Sequence, residues 1–126
     1  MTRLPLAIAT AATLALLGLS GCVANPASDD GATRIDVTST ADDCVLSATA
    51  AQAGSVVFAV TNSGDAVTEF YVLGNDGKRV VGEVENIGPG TSRELVVTVE
   101  PGTYFTVCKP GMAGDGVGKA EFTVAE

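Results

Sequence analysis

The stretch Cys108-Lys109-Pro110-Gly111-Met112 sets the chemical question of this sequence. It places a thiol and a thioether on one glycine-rich segment, which continues to Asp115 between Gly114 and Gly116. Thiolate and thioether sulfur are soft donors that suit Cu(I), whereas carboxylates suit iron or oxidised copper. A cysteine can equally be half of a disulfide. Histidine is absent from all 126 residues. Its absence removes Ser-His-Asp and Cys-His catalysis, and any histidine-ligated metal site, the His₂Cys blue-copper centre included. No acid–base pair has a spacing recognisable for hydrolysis.

The elements around Cys108 bear on its state. Residues 1–21 read as a leader. Arg3 gives a short positive region, and Leu4 to Leu19 is apolar apart from two threonines. That run is too short and too rich in small residues for a comfortable membrane helix. It ends in Leu19-Ser20-Gly21-Cys22, which resembles the lipobox of bacterial lipoproteins. There the cysteine thiol receives a diacylglycerol, and cleavage leaves Cys22 as the first residue. Residues 22–32 then read as a lipidated amino terminus and flexible tether, and 33–126 as the folded domain. With Cys22 lipidated, Cys44 and Cys108 remain as one pair in an oxidising compartment, where a disulfide is allowed. Closing a loop of about 65 residues would contribute about 4 kcal/mol in the chain-entropy model. Two acyl chains would hold the protein on a membrane surface, outside the cytoplasm, without spanning it.

The net charge is −8, and loss of Arg3 with the leader makes it −9. Such a chain lacks the basic patches that nucleic-acid binding needs. After the tether there is almost no helical periodicity. Short alternating runs are separated by Gly, Pro, Asn and Asp. They cover 33–39, 43–48, 55–62, Val67 to Leu73, Arg79 to Val84, 92–100, 103–110 and Ala120 to Ala125. About eight short strands with turn signals in every gap predict an all-β antiparallel sandwich. Valines with Phe58, Phe70, Phe105 and Phe122 are the expected core.

The order of these pieces resembles a cupredoxin, a Greek-key β-sandwich. Three segments carry the likeness: GSVVFAVTNSGDAVTEF (54–70), VEPGTYFTVCKPGM (99–112) and AEFTV (120–124). In blue-copper members the first segment offers a histidine and the last loop runs Cys, His, Met. Here the histidine position falls on Thr68, and no histidine lies between Cys108 and Met112. Four stretches resemble more narrowly the amino-terminal cupredoxin-like domain of the EfeO family, a periplasmic or lipid-anchored component of bacterial ferrous-iron uptake. They are DDCVLSA, TNSGDAVTEFYVL, GEVENIGPGTSREL and GTYFTVCKPGMAGDGVG, together covering about Thr33 to Val124. The resemblance implies a copper or iron ion held through cysteine and glutamate. Carried over, the ligands are Cys44, Glu69 and Cys108, with Met112 and Asp115 as neighbouring donors. It also implies an iron permease or a peroxidase-like component as partner. The family's carboxy-terminal helical domain, with its His-x-x-Glu motif and second metal site, has no counterpart in these residues.

The expectation is thus an extracytoplasmic, lipid-anchored, cupredoxin-like metal-binding protein linked to bacterial iron uptake or metal handling, with electron transfer as an extension. Ferroxidase activity would need a redox-active copper with an open position. Strand alternation pairs Glu69 with Val67 and Tyr71 rather than aiming it at Cys108, so a bulge would have to re-aim it. A reading of another class stays open. In it the sandwich is metal-free, Cys44 and Cys108 form a disulfide, and the domain docks an envelope protein. The acidic face near Glu83 and Glu85 would then matter more than Cys108.

Overall fold

The computed structural model describes residues 31–126. The lipobox, Cys22 and the tether up to residue 30 lie outside the described residues.

Nine strands form in chain order: β1 (Thr33–Ser39), β2 (Cys44–Leu46), β3 (Ala50–Gln52), β4 (Gly54–Asn62), β5 (Thr68–Leu73), β6 (Val80–Ile87), β7 (Ser92–Val99), β8 (Gly102–Cys108) and β9 (Val117–Ala125). A 3₁₀ turn, Pro110–Met112, sits between β8 and β9. The strands make two sheets, ordered β2-β1-β4-β7 and β3-β9-β8-β5-β6. This is the sandwich that the alternating runs predict. Two pairings within it are parallel, β1 with β4 and β3 with β9. Parallel neighbours need a crossover rather than a hairpin. The excursion through β2 and β3 supplies one, because β3 leaves for the other sheet before β4 returns beside β1. The alternating pattern did not reveal β3, whose Ala50-Ala51-Gln52 is short and small.

Phe58 is the centre of the core. Its ring lies 5.2 Å from that of Phe70 and 5.4 Å from that of Phe122, joining the two sheets. Ile35, Val37, Val60, Val72 and Ile87 close around it, all essentially inaccessible to water. Phe105 is not in this core, contrary to the sequence reading. On β8 the inward positions belong to Thr106 and Cys108, so Phe105 points to the outer face. There it pairs with Leu73 of β5 and lies under the Lys119 ammonium.

One flank of the sandwich is closed where β6 meets β7. A Cβ on Gly82 would overlap Val97 Cγ1 and sit 3.5 Å from Leu95 Cδ1. The close approach of the two sheets therefore depends on a missing side chain. Gly82→Val should destabilise the domain by about 1–3 kcal/mol through overpacking, read as a lower urea midpoint. An unchanged midpoint would contradict this packing.

Candidate functional site

The chemistry-bearing residues gather at the end of the sandwich where β8 stops. β1 ends at Ser39, directly opposite Cys44, the first residue of β2. β8 ends at Cys108, opposite Phe70 of β5 and Val117 of β9. The two cysteines come from different sheets and are joined as a disulfide, with Cα atoms 5.4 Å apart across a sequence separation of 64. Both are buried, Cys108 completely and Cys44 to 8% exposure.

The loop leading into β9 can lie this close only because of its glycines. Gly118 has φ +61°, and a Cβ on it would lie 2.5 Å from the Cys44 amide nitrogen and 2.7 Å from Cys44 Cβ. Gly116, at φ +86°, would collide in the same way with Val107 and the Cys108 carbonyl. Positive φ and lack of space both require glycine here.

Hydrogen bonds lace the same end. Ser39 and Thr68 share a buried hydroxyl–hydroxyl bond of 2.9 Å, linking β1 of one sheet to β5 of the other. Thr68, the position matched to a blue-copper histidine, is thus committed to a structural contact. Asn62 Nδ2 donates to the carbonyls of Ala66 (2.7 Å) and Ile87 (2.8 Å), while its Oδ1 accepts the Gly64 amide (2.9 Å). Asn62 is not among the site residues expected from the sequence; its Asn-x-Gly setting was the available signal, and burial makes it an inter-sheet tie. Thr106 Oγ1 is the buried side-chain polar atom without a partner among the described residues.

Glu69 lies on the other side of its sheet. Its backbone exchanges both hydrogen bonds with Lys109, whereas the next residue, Phe70, pairs with Cys108. Opposed residues share a face and successive residues alternate. Phe70 and Cys108 therefore face the core, and Glu69 and Lys109 face outward. The register does shift beside Glu69, but the extra residue is on β6, between Val84 and Ile87, where Asn86 takes φ +56°. That bulge leaves Glu69 on the outer side of its sheet, where it is 9% exposed. Its Oε2 accepts the Tyr71 hydroxyl at 2.7 Å, and Lys109 Nζ stands 4.6 Å from the Tyr71 ring centroid.

Met112 and Asp115 do not join the cysteines either. Met112 is 43% exposed at φ +54°, its amide donating back to the Lys109 carbonyl at 3.0 Å. Asp115 lines a concavity on the outer face. Among the described residues, no three His, Cys, Asp or Glu side chains converge as metal ligands would. A copper or iron centre built on Cys44, Glu69 and Cys108 does not fit this arrangement. The two sulfurs bond to each other, and the carboxylate is across the sheet and held by Tyr71.

The family model for the cupredoxin-like domain matches residues 10–122. The chain belongs to the cupredoxin-like family. Its sequence is similar to the iron uptake system component EfeO of Yersinia pestis, 33% identical over 92 residues that cover 73% of this chain and 23% of that protein. The EfeO of Escherichia coli K12 is 32% identical over 75 residues, covering 60% and 20%. This cupredoxin-like chain thus spans under a quarter of the curated relatives it matches. Its fold is similar to dithionite-reduced auracyanin from Roseiflexus castenholzii, with TM-score 0.57 and 20% identity over 75% of this chain and 98% of that one. Auracyanin A from Chloroflexus aurantiacus, a "blue" copper protein, gives 0.53 and 16% over 75% and 99%. At those identities the likeness establishes the cupredoxin fold, and the site must be read from this chain's own side chains.

The outer face has a titration of its own. Burial raises the Tyr71 phenol well above its ordinary value of 10.0, and the hydrogen bond to Glu69 and the charges of Glu69, Glu83 and Glu85 push the same way. Above that pH the unfolded chain releases a proton that the folded chain retains, so stability falls as pH rises. The melting temperature should decline more steeply above pH 10.0 in the wild type than in Tyr71→Phe. Equal slopes would remove Tyr71 as the source.

Proposed function

We propose that this chain is an extracytoplasmic cupredoxin-like module of bacterial iron uptake or metal handling, anchored to a membrane through lipidated Cys22. It acts as a disulfide-closed docking domain rather than as a resting copper centre. The observation that carries this reading is the buried Cys44–Cys108 disulfide, which ties up both thiols at the end of β8. The similarity to EfeO points to the pathway, and Leu19-Ser20-Gly21-Cys22 to the anchor. The partner class is an envelope component of the same uptake system, a permease or a peroxidase-like subunit. Glu83 and Glu85 are exposed on β6, an edge strand, and give the domain an acidic docking face. Charges at such a rim act chiefly on the rate and choice of encounter.

Uptake of labelled iron under limitation tests this. Deleting the chain from its host should lower uptake, and the wild type should restore it. A Glu83→Lys, Glu85→Lys variant with an unchanged melting temperature should restore at most about half, given the leverage of charge on association. Unchanged uptake after deletion would contradict the pathway. Full restoration by the charge-reversed variant would contradict the acidic docking face.

A further inference from the structure

The outer face of the five-stranded sheet carries a concavity of about 430 Å³. Leu73 and Val107 form its apolar floor, and Lys78, Lys109, Lys119 and Asp115 stand around it. These are all three lysines of a chain whose net charge is −8. The hollow's lining holds three ammonium groups against one carboxylate, with Glu69 and Glu83 beyond Tyr71 at one edge. Like charges concentrated in this way repel each other, and an acidic protein had many other surfaces on which to place them.

Two of the lysines, Lys109 and Lys119, are also held through their side chains. Lys109 is fixed through its backbone, which exchanges two hydrogen bonds with Glu69, and its ammonium rests over the Tyr71 ring at 4.6 Å. Lys119 Nζ donates to the Gly77 carbonyl at 2.8 Å and lies 5.6 Å from the Phe105 ring centroid. Lys78 sits on a turn ordered by Asp76, whose Oδ1 accepts the amides of Lys78 and Arg79 at 2.9 Å each. Among the described residues, none of the three forms an ion pair with a carboxylate, and the ion pairs present belong to Arg34. An ammonium carries three donors, so Lys119 keeps two beyond its bond to Gly77. Ordering the Lys109 and Lys119 side chains in the free protein removes part of the entropic cost of binding.

We propose that this hollow binds a small polycarboxylate anion. Its carboxylates would meet Lys78, Lys109 and Lys119, and its carbon skeleton would lie on Leu73 and Val107. The volume is in the range of small-molecule sites, and an apolar floor with a few convergent polar groups is their usual make-up. Inorganic phosphate is a poorer match. Lysines bind phosphate as point charges, but phosphate has no carbon skeleton to lie on Leu73 and Val107. The site lies on the opposite face of the sheet from Cys108 and does not depend on the state of the disulfide.

Calorimetric titration of the mature chain with citrate at low ionic strength, where exposed charges are least screened, tests the proposal. Citrate should bind saturably at one site. Lys78→Gln with Lys109→Gln should weaken it about tenfold, and Asp115→Asn should tighten it about threefold, in line with exposed ion-pair strengths. The Asp115 variant removes a charge without removing a lysine, so its opposite sign guards against a trivial loss of fold. Inorganic phosphate should bind at least about tenfold more weakly. No saturable citrate binding, or binding indifferent to these substitutions, would overturn the proposal. Equal affinity for phosphate would overturn the polycarboxylate assignment and leave a general anion site.

Discussion

The covalent tie between Cys44 and Cys108 decides how the two sheets meet at one end of the sandwich. A domain of this size buries a modest fraction of its surface, and it has one aromatic cluster, around Phe58, to hold its layers together. The disulfide links β2 to β8 across those layers and closes a long loop, a constraint of about 4 kcal/mol in the chain-entropy model. Other features follow from it. Gly116 and Gly118 must be glycine because the loop is pressed against the bridged residues. Ser39, beside Cys44 in the β1–β2 pairing, is brought against Thr68. The polar lacing of Ser39, Thr68 and Asn62 forms an inter-sheet seam, and it engages Thr68, the position that the cupredoxin resemblance matches to a blue-copper histidine.

A second constraint is the phase of β5. Cys108 and Phe70 are paired, so Glu69 must look the other way. One residue of alternation separates a carboxylate that could reach sulfur from one that instead accepts the Tyr71 hydroxyl. The outer face thereby becomes an electrostatic surface in its own right. Burial, and after it Glu69, Glu83 and Glu85, raise the Tyr71 phenol, and Lys109 packs on the same ring. The two faces of one sheet thus carry separate chemistry: sulfur inside, charge outside.

Much of this was legible in the residues. Period-two alternation and turn composition located the sandwich, and the segments around Asn62 and Cys108 carried the cupredoxin likeness. The opposition of Glu69 to Cys108 was also visible in the alternation of VTEFYVL, but the ligand set implied by the EfeO resemblance ran against it. Other features were not legible for physical reasons. β3 has no side chains large enough to leave a pattern. Phe105 looked like core because it is aromatic, yet a strand has only two faces, and Thr106 and Cys108 took the inner one. The gathering of Lys78, Lys109 and Lys119 depends on strand order, which brings together residues up to 41 positions apart that no local motif connects.

On the proposed reading, Cys44 and Cys108 stay a closed structural bridge in the working protein. The most direct test is intact mass with a thiol count on the mature chain, purified from an oxidising compartment without reductant. The mass should lie two hydrogens below the fully reduced form, with neither Cys44 nor Cys108 reactive to a thiol reagent under denaturing conditions. Two reactive thiols, or thiols masked by a retained metal ion, would contradict it and return Cys108-Lys109-Pro110-Gly111-Met112 to the role of a ligand loop.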